Sequence, residues 1–265
     1  MVLKTALRSL LATCGLELRL TRNVNAAHVA AKRQAVIDRW KLLQRYDPKC
    51  VLDLGANEGQ FAKIVREILP GVPIYSFEPL DDCFQKLESF LQSSGPGQAF
   101  PFALGAENGQ ATIHRSEFSP SSSLLEMGEL HAAEFPATAK TYEQTIQIKR
   151  LDDAVEKLPL TSPLVMKVDV QGFENDVIAG APQTLQRTTA AVIELTSYPL
   201  YRDQSTFESV QNQMAAFGFV FRGVVDQMHS PRDGRILQFD ALFENSALVD
   251  QPANVSASRN RSSCP

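Results

Sequence analysis

The chain has 265 residues, of which 44% are hydrophobic and 21% charged, with a formal net charge of −4 at pH 7. This length fits one well-packed domain with appendages, and the composition excludes a disordered chain or a coiled coil. The acidic balance argues against broad affinity for nucleic acid and favours a small or neutral substrate.

The four cysteines, Cys14, Cys50, Cys83 and Cys264, are scattered, with no CxxC pair and no Cys/His cluster at zinc spacing. A reducing cytoplasm is the expected location. Near the start, Arg8 interrupts what would otherwise be a secretory apolar stretch, and no run approaches the roughly 20 apolar residues that span a bilayer. The segment through Arg22 is basic and amphipathic, with Leu3, Leu7, Leu10 and Leu11 on one side and Lys4, Arg8, Arg19 and Arg22 elsewhere. It suits a helix packed on the domain or on a partner subunit; the alternative is a peripheral membrane contact.

Residues 1–46 are predicted to be a helical extension, closed by Asp47-Pro48. Lys49 to Gly55 then suits a buried strand, and Glu58 to Leu69 a helix with apolar Phe61, Ile64, Val65 and Ile68. Asn57 and Gln60 have capping-box spacing at that helix start, and Pro70-Gly71 stops it. Ile74 to Phe77 is a second strand, Leu80 to Leu91 a helix, and Ala99 to Leu104 a third strand. Glu107-Asn108-Gly109 resembles a hairpin turn into Ala111 to Arg115. Residues 117–140 are expected to form a long loop or lid, Thr145 to Lys149 a strand and Leu151 to Leu158 a short helix.

Leu164 to Val170 is the next buried strand, followed by Gly172, a helix to about Leu185 and a strand at Ala190 to Leu195. Ser205 and Glu208 have capping-box spacing for a helix that stops near Gly218. Phe219 to Val225 and Ile236 to Phe243 make a final strand pair around Pro231, Asp233 and Gly234. The residues from 246 onward are polar and are expected to fray, and the sequon at Asn254 has no meaning without secretion. Residues 47–245 thus form the predicted domain. Strands alternating with helices imply an α/β, Rossmann-like fold: a mostly parallel sheet, helices on both faces and a C-terminal antiparallel hairpin. Ligands of such a sheet bind at the carboxyl ends of its strands.

Three motifs fall at those ends. In Val51-Leu52-Asp53-Leu54-Gly55-Ala56-Asn57-Glu58-Gly59, glycine allows the sharp turn and the close approach of a ligand. Asn57 stands where a dinucleotide loop has its second glycine, so a ligand without a pyrophosphate fits better. Asp53 would direct its carboxylate at the cationic end of such a ligand. Glu78, ending the second strand, can accept hydrogen bonds from both hydroxyls of a ribose. Asp169 ends the next parallel strand in Lys167-Val168-Asp169-Val170-Gln171-Gly172-Phe173-Glu174. It either contacts cofactor, substrate or metal, or caps the next helix. Glu174 suits a charge at a helix start.

VLDLGANEGQF, Phe77-Glu78-Pro79, Phe102-Ala103-Leu104-Gly105, Ser121-Ser122-Ser123-Leu124, Arg150-Leu151-Asp152 and KVDVQGFE together resemble the FkbM methyltransferases. So does Ile193-Glu194-Leu195 followed by Tyr198-Pro199-Leu200-Tyr201. The resemblance runs from about residue 49 to 243. It implies a seven-stranded Rossmann-like sheet, S-adenosylmethionine as cofactor and O-methylation of a sugar, glycolipid or other small natural product. It also implies that Asp53, Gly55, Asn57 and Gly59 line the methionine end, Glu78 holds the ribose, and Phe102, Ala103 and Leu104 flank the adenine.

A sugar hydroxyl is a poor nucleophile at neutral pH, so a base or metal should assist it. The candidates are Asp169, Glu194 and one of His114, His131 or His229; Asp169 is preferred, and Asp169 and Glu194 could share a divalent ion. A nucleic-acid amino-methyltransferase is disfavoured because Asp169-Val170-Gln171-Gly172 replaces its Asn/Asp-Pro-Pro-aromatic sequence. The rival from another class is an inactive binding or scaffold protein that retains the fold.

Overall fold

The computed structural model describes residues 21–138 and 140–249. The basic segment through Lys4 to Arg19 and the tail beyond residue 249, with its sequon, lie outside the described residues. Helix α1 (Thr21–Trp40) runs into a 3-10 turn, Lys41–Tyr46, and then the strands begin. The first half contains β1 (Cys50–Leu54), α2 (Gln60–Ile68), β2 (Ile74–Phe77), α3 (Asp81–Ser94), β3 (Gly97–Phe100), β4 (Ala103–Leu104) and β5 (Gly109–Ser116). After α4 (Glu129–Glu134) come β6 (Thr141–Lys149), α5 (Leu151–Val155), β7 (Leu164–Val168), α6 (Glu174–Ala179) and α7 (Pro182–Arg187). The chain continues with β8 (Thr188–Thr196), α8 (Phe207–Ala216), β9 (Phe219–His229), β10 (Ile236–Asn245) and α9 (Ser246–Val249).

Seven strands form one sheet in the order β3-β2-β1-β7-β8-β10-β9. The first five are parallel, and β10 runs antiparallel to both β8 and β9. This is the Rossmann-like architecture expected from the alternation of elements. The strands at its centre are apolar on both faces because both are covered. On one face Val51, Val165, Ala190 and Val192 pack against Trp40 and Leu43 before β1, Phe61 and Val65 of α2, and Leu87 and Leu91 of α3. On the other, Leu52, Met166 and Ile193 meet Leu151 of α5, Ile178 of α6, Leu185 of α7 and Met214 of α8. No described helix is long and apolar enough to cross a membrane.

A second, three-stranded sheet was not evident in the sequence. Its order is β4-β6-β5, with β5 antiparallel and β4 parallel to β6. The expected third strand at 99–104 is therefore two strands. Pro101 separates them, so Phe100 still pairs with Phe77 while Ala103 pairs with Ile148 in the other sheet. For the same reason Glu107-Asn108-Gly109 joins β4 to β5 without making them hairpin neighbours. Asn108 instead ties the corner, accepting from Arg150 N at 2.9 Å and donating to Asp153 at 2.6 Å.

Three helix starts or stops differ from expectation. The helix after Gly172 breaks at Gly180-Ala181, since Pro182 opens a new helix and restricts the residue before it. The capping box shifts by one position, so that Thr206 Oγ1 accepts from Ser209 N at 3.1 Å. Ser205 is already engaged, its hydroxyl accepting from Asn175 N at 2.9 Å. Helix α2 begins at Gln60, with Gly59 as its N-cap at φ 80°. Asn57 Oδ1 accepts from Glu58 N at 2.9 Å, outside the helix, and no Asn57 cap forms.

Candidate active site

Strand alternation builds the site. Successive residues of a strand point to opposite faces, so Val51 shares a face with Asp53, Val165 with Lys167, Val192 with Glu194 and Leu242 with Asp240. That face is largely aliphatic under the helices, with buried Glu244 of β10 held by the Tyr46 hydroxyl, and it gathers Asp53, Lys167 and Glu194 at the carboxyl ends of the parallel strands. There it opens into a cavity of about 500 Å³, the scale of a small-molecule site.

Asp53, Gly55, Asn57, Glu78, Ala103 and Leu104 all line the cavity. Gly59 lies outside the lining and serves the turn into α2. At Gly55 the backbone has φ 81°, and a Cβ would sit 1.8 Å from the Asp169 carbonyl oxygen. Only glycine lets the β1 loop pass this close to the end of β7. Asn57 also adopts a left-handed conformation, φ 46°, and directs its N–H at Glu78.

Each Glu78 oxygen accepts one backbone N–H, Oε2 from Asn57 and Oε1 from Leu80, both at 2.8 Å. These bonds fix the carboxylate while leaving lone pairs for further donors. Burial pushes Glu78 up to about 7 in spite of the two N–H groups. Asp53 is also buried, accepts from the Ser76 hydroxyl at 3.2 Å and is likewise pushed to about 7 by desolvation, against the pull of Lys167. The pocket thus presents acids close to their protonation midpoint at neutral pH.

Beyond Asp53 lies a polar cluster. Lys167 Nζ is 3.2 Å from Asp169 Oδ2 and 3.1 Å from Asp240 Oδ1. Gln171 Nε2 donates to Asp169 Oδ1 at 2.8 Å and also to Glu194, which in turn accepts from Gln238 at 3.1 Å. The cluster thus brings Asp169 and Glu194 together around a shared amide. Burial acts against the charge of Asp169, but Lys167 and the surrounding hydrogen bonds hold its carboxyl below the ordinary range. Glu194 is driven well upward by burial and by the neighbouring Asp169. With 34% of its side chain accessible, Asp169 is more open than Asp240, at 16%, and Lys167, at 6%.

Beside Asp169 and Glu194, the pair considered for a divalent ion, stands the Lys167 ammonium, 3.2 Å from Asp169 Oδ2. Among the described residues no group of three or more His, Cys, Asp or Glu is arranged to hold a metal ion. Lys167, Gln171, Gln238 and Asp240 were not singled out from the sequence. The signal for Lys167 was its position two residues before Asp169 on one strand, whereas nothing local marks Asp240.

Of the three candidate histidines, only His131 lines the cavity. His114 pairs within β5 and β6, and His229 lies exposed at the end of β9 with Nδ1 2.7 Å from Gly234 O. The Thr138 hydroxyl donates to Phe135 O at 2.9 Å, so its oxygen is left to accept from His131 Nε2 at 3.1 Å. His131 Nδ1 then carries a lone pair, buried and without a partner among the described residues.

The segment 117–140, expected as a long loop or lid, contains the helix α4. It lines the cavity from Phe118 to Leu124 and at His131, Phe135 and Thr138, and alternate serines tie it down. Ser119 Oγ is 3.3 Å from Asn57 Oδ1, Ser121 O is 3.2 Å from the Tyr201 hydroxyl, and Ser123 Oγ donates to Gln171 O at 2.6 Å. Tyr201 OH also lies 2.8 Å from Gln171 Oε1, linking the lid to the cluster. Glu174 takes no part in the lining; buried, it accepts from Gly172 N at 2.9 Å and holds the turn after Asp169.

The profile of the Methyltransferase FkbM domain matches residues 53–221, which contain the glycine loop, Glu78, the lid and, of the polar cluster, Lys167, Asp169, Gln171 and Glu194. The chain belongs to the FkbM methyltransferase family. Its relatives include the 2-O-methyltransferase NoeI of Sinorhizobium fredii, 27% identical over 68% of this chain and 76% of that protein. Another is the hexuronic acid methyltransferase AglP of Haloferax volcanii, 28% identical over 58% of this chain and 59% of that protein. Among solved structures, this FkbM methyltransferase is similar to the magnesium protoporphyrin IX methyltransferase of Synechocystis with bound S-adenosylmethionine. The TM-score is 0.43 and the identity 9%, over 91% of this chain and 96% of the other.

Proposed function

We propose that this FkbM methyltransferase uses S-adenosylmethionine to O-methylate a hydroxyl of a sugar, glycolipid or similar small molecule. The observation that carries the reading is a single cavity in which Glu78 is backbone-anchored at one side and Asp169 lies open at the other. The residues fit the cofactor. Gly55 lines the cavity and lets the β1 loop pass against the Asp169 backbone at the end of β7, and Glu78 retains acceptor capacity for ribose hydroxyls. Ala103 and Leu104 supply an apolar flank for a base, and Asp53 a carboxylate for the cationic end.

When bound, the cofactor supplies a methyl carbon that an acceptor oxygen takes as the carbon–sulfur bond breaks, the bonding pair remaining on sulfur. The protein aligns the partners and excludes water, the tasks of the Gly55 turn and the serine-stitched lid. Asp169, open to the cavity and held as a carboxylate beside Lys167, accepts the hydroxyl proton. The carbohydrate acceptor is supported by the two sugar-related relatives, NoeI and AglP. A reducing, cytoplasmic setting is supported by the free thiols of buried Cys50 and Cys83. We assign residues 47–245 to the catalytic domain, with α1 packed on it through Ile37 and Trp40.

The test is S-adenosylmethionine labelled on the methyl group, offered with nucleotide-sugars, neutral oligosaccharides and glycolipids. The expected result is a labelled methyl ether that disappears in Glu78→Ala. Tight cofactor binding with no labelled product from any acceptor would favour the scaffold reading instead.

A further inference from the structure

Lys167 is the sole Lys or Arg lining the cavity among the described residues, and it faces the carboxylates of four strands. Asp53 is its register partner on β1, Asp169 follows it just past β7, and Glu194 and Asp240 are register partners on β8 and β10. Its side chain is almost wholly buried, with Nζ 3.2 Å from Asp169 Oδ2 and 3.1 Å from Asp240 Oδ1. An ammonium in such a place must be paired, and several buried carboxylates need a positive charge among them. A divalent ion bridging Asp169 and its neighbours would require the space Nζ already fills, and two cations side by side would repel strongly where little water screens them.

We propose that the Lys167 ammonium is the resident cation of this cluster, taking the place a divalent ion would fill and holding the Asp169 carboxylate toward the acceptor hydroxyl. Lys167 is thus a positioning residue that acts through Asp169, while Gln171 holds the other carboxylate oxygen at 2.8 Å. Its part in turnover rests on the methyl-transfer reading; its charge compensation does not.

Manganese(II) titrated into the full chain, with the free ion followed by electron paramagnetic resonance, tests the first point. The wild-type chain is expected to leave the free-ion signal unchanged. Lys167→Met is expected to take manganese up, and adding Asp240→Asn to abolish that uptake. Wild-type uptake that Asp240→Asn removes would overturn the proposal, as would a folded Lys167→Met chain that binds no manganese.

Methyl transfer tests the second point. Lys167→Met is expected to lower kcat by roughly tenfold or more with little change in cofactor KM, and Lys167→Arg to recover most of it. A folded Lys167→Met enzyme with undiminished kcat would overturn the positioning role. Should Lys167→Met fail to fold, Lys167→Arg and the wild type decide: exclusion of manganese from the cluster by both supports the proposal, and uptake by either that Asp240→Asn removes overturns it. A wild-type chain that methylates no acceptor would sink the functional reading and leave the manganese results standing.

Discussion

Asp53 and Glu78 are acids that the fold has taken out of water, each pushed to about 7 chiefly by burial. Their folded values lie above their unfolded ones, so from the ordinary carboxylate range up to about pH 7 the folded chain binds more protons than the unfolded chain. Stability therefore falls as pH rises through that window, and Glu174, also near 7, adds to the effect. The apoprotein should melt at a lower temperature at pH 8 than at pH 6, and Asp53→Asn should reduce the difference. Cofactor affinity should move the other way, because a cationic ligand prefers the ionised Asp53. Calorimetry should find binding about tenfold tighter at pH 8 than at pH 6, with Asp53→Asn flattening the dependence; equal affinity in the wild type would count against Asp53 as the cationic end's partner. Gly55 gives a sharper test. A methyl group there meets the backbone at 1.8 Å with φ at 81°, so Gly55→Ala should cost about 3 kcal/mol or more in urea denaturation. Unchanged stability would mean that the β1 and β7 ends do not approach as described.

At the scale of elements, the Arg150-Leu151-Asp152 stretch acquires a structural explanation. Asp152, on α5, caps α7 from outside that helix, accepting from Gln183 N at 2.9 Å, Thr184 N at 2.8 Å and the Thr184 hydroxyl at 2.7 Å. Asp152→Ala should destabilise the chain by about 1–3 kcal/mol, since two helix-start N–H groups lose their acceptor. It should leave cofactor affinity within about twofold, because Asp152 is outside the cavity lining. A large loss of affinity without loss of stability would contradict this assignment. The adjoining corner is equally tight: a Cβ at Gly180 would lie 2.0 Å from Gly105 O, so only glycine fits where these two segments meet. The helix break beside it was poorly legible in the sequence. The apolar spacing of residues 172–185 continues across Gly180 and masks the one local signal of the break, Pro182, at which the second helix opens. Likewise Ser205 matched a cap by spacing, yet its hydroxyl was already committed to Asn175 N in a neighbouring helix.

At the scale of the molecule, α1 contributes to both core and site. Trp40, the sole tryptophan of the chain, packs edge-on to Phe61 at 4.9 Å between ring centroids and also lines the cavity. Intrinsic fluorescence should therefore change when S-adenosylmethionine or its demethylated product binds, and Trp40→Phe should remove the signal. Saturation shown by calorimetry with no change in emission would place the cofactor away from this wall. Trp40→Ala should in addition cost about 3–5 kcal/mol, the usual penalty for emptying a buried aromatic site.

The sequence by itself determined the order of strands and helices, the glycine turn after β1 and the acids at the strand ends. These are local properties: periodicity of two or 3.6, a glycine where the chain must reverse, a carboxylate at the last position of an apolar run. Only the tertiary structure decided which of those acids share a space. Asp240 meets Lys167 because β10 inserts antiparallel beside β8, and the small sheet exists because Pro101 turns Ala103 away from β2. Contacts between strands distant in sequence arise from sheet order and register, and no short stretch of residues carries that information.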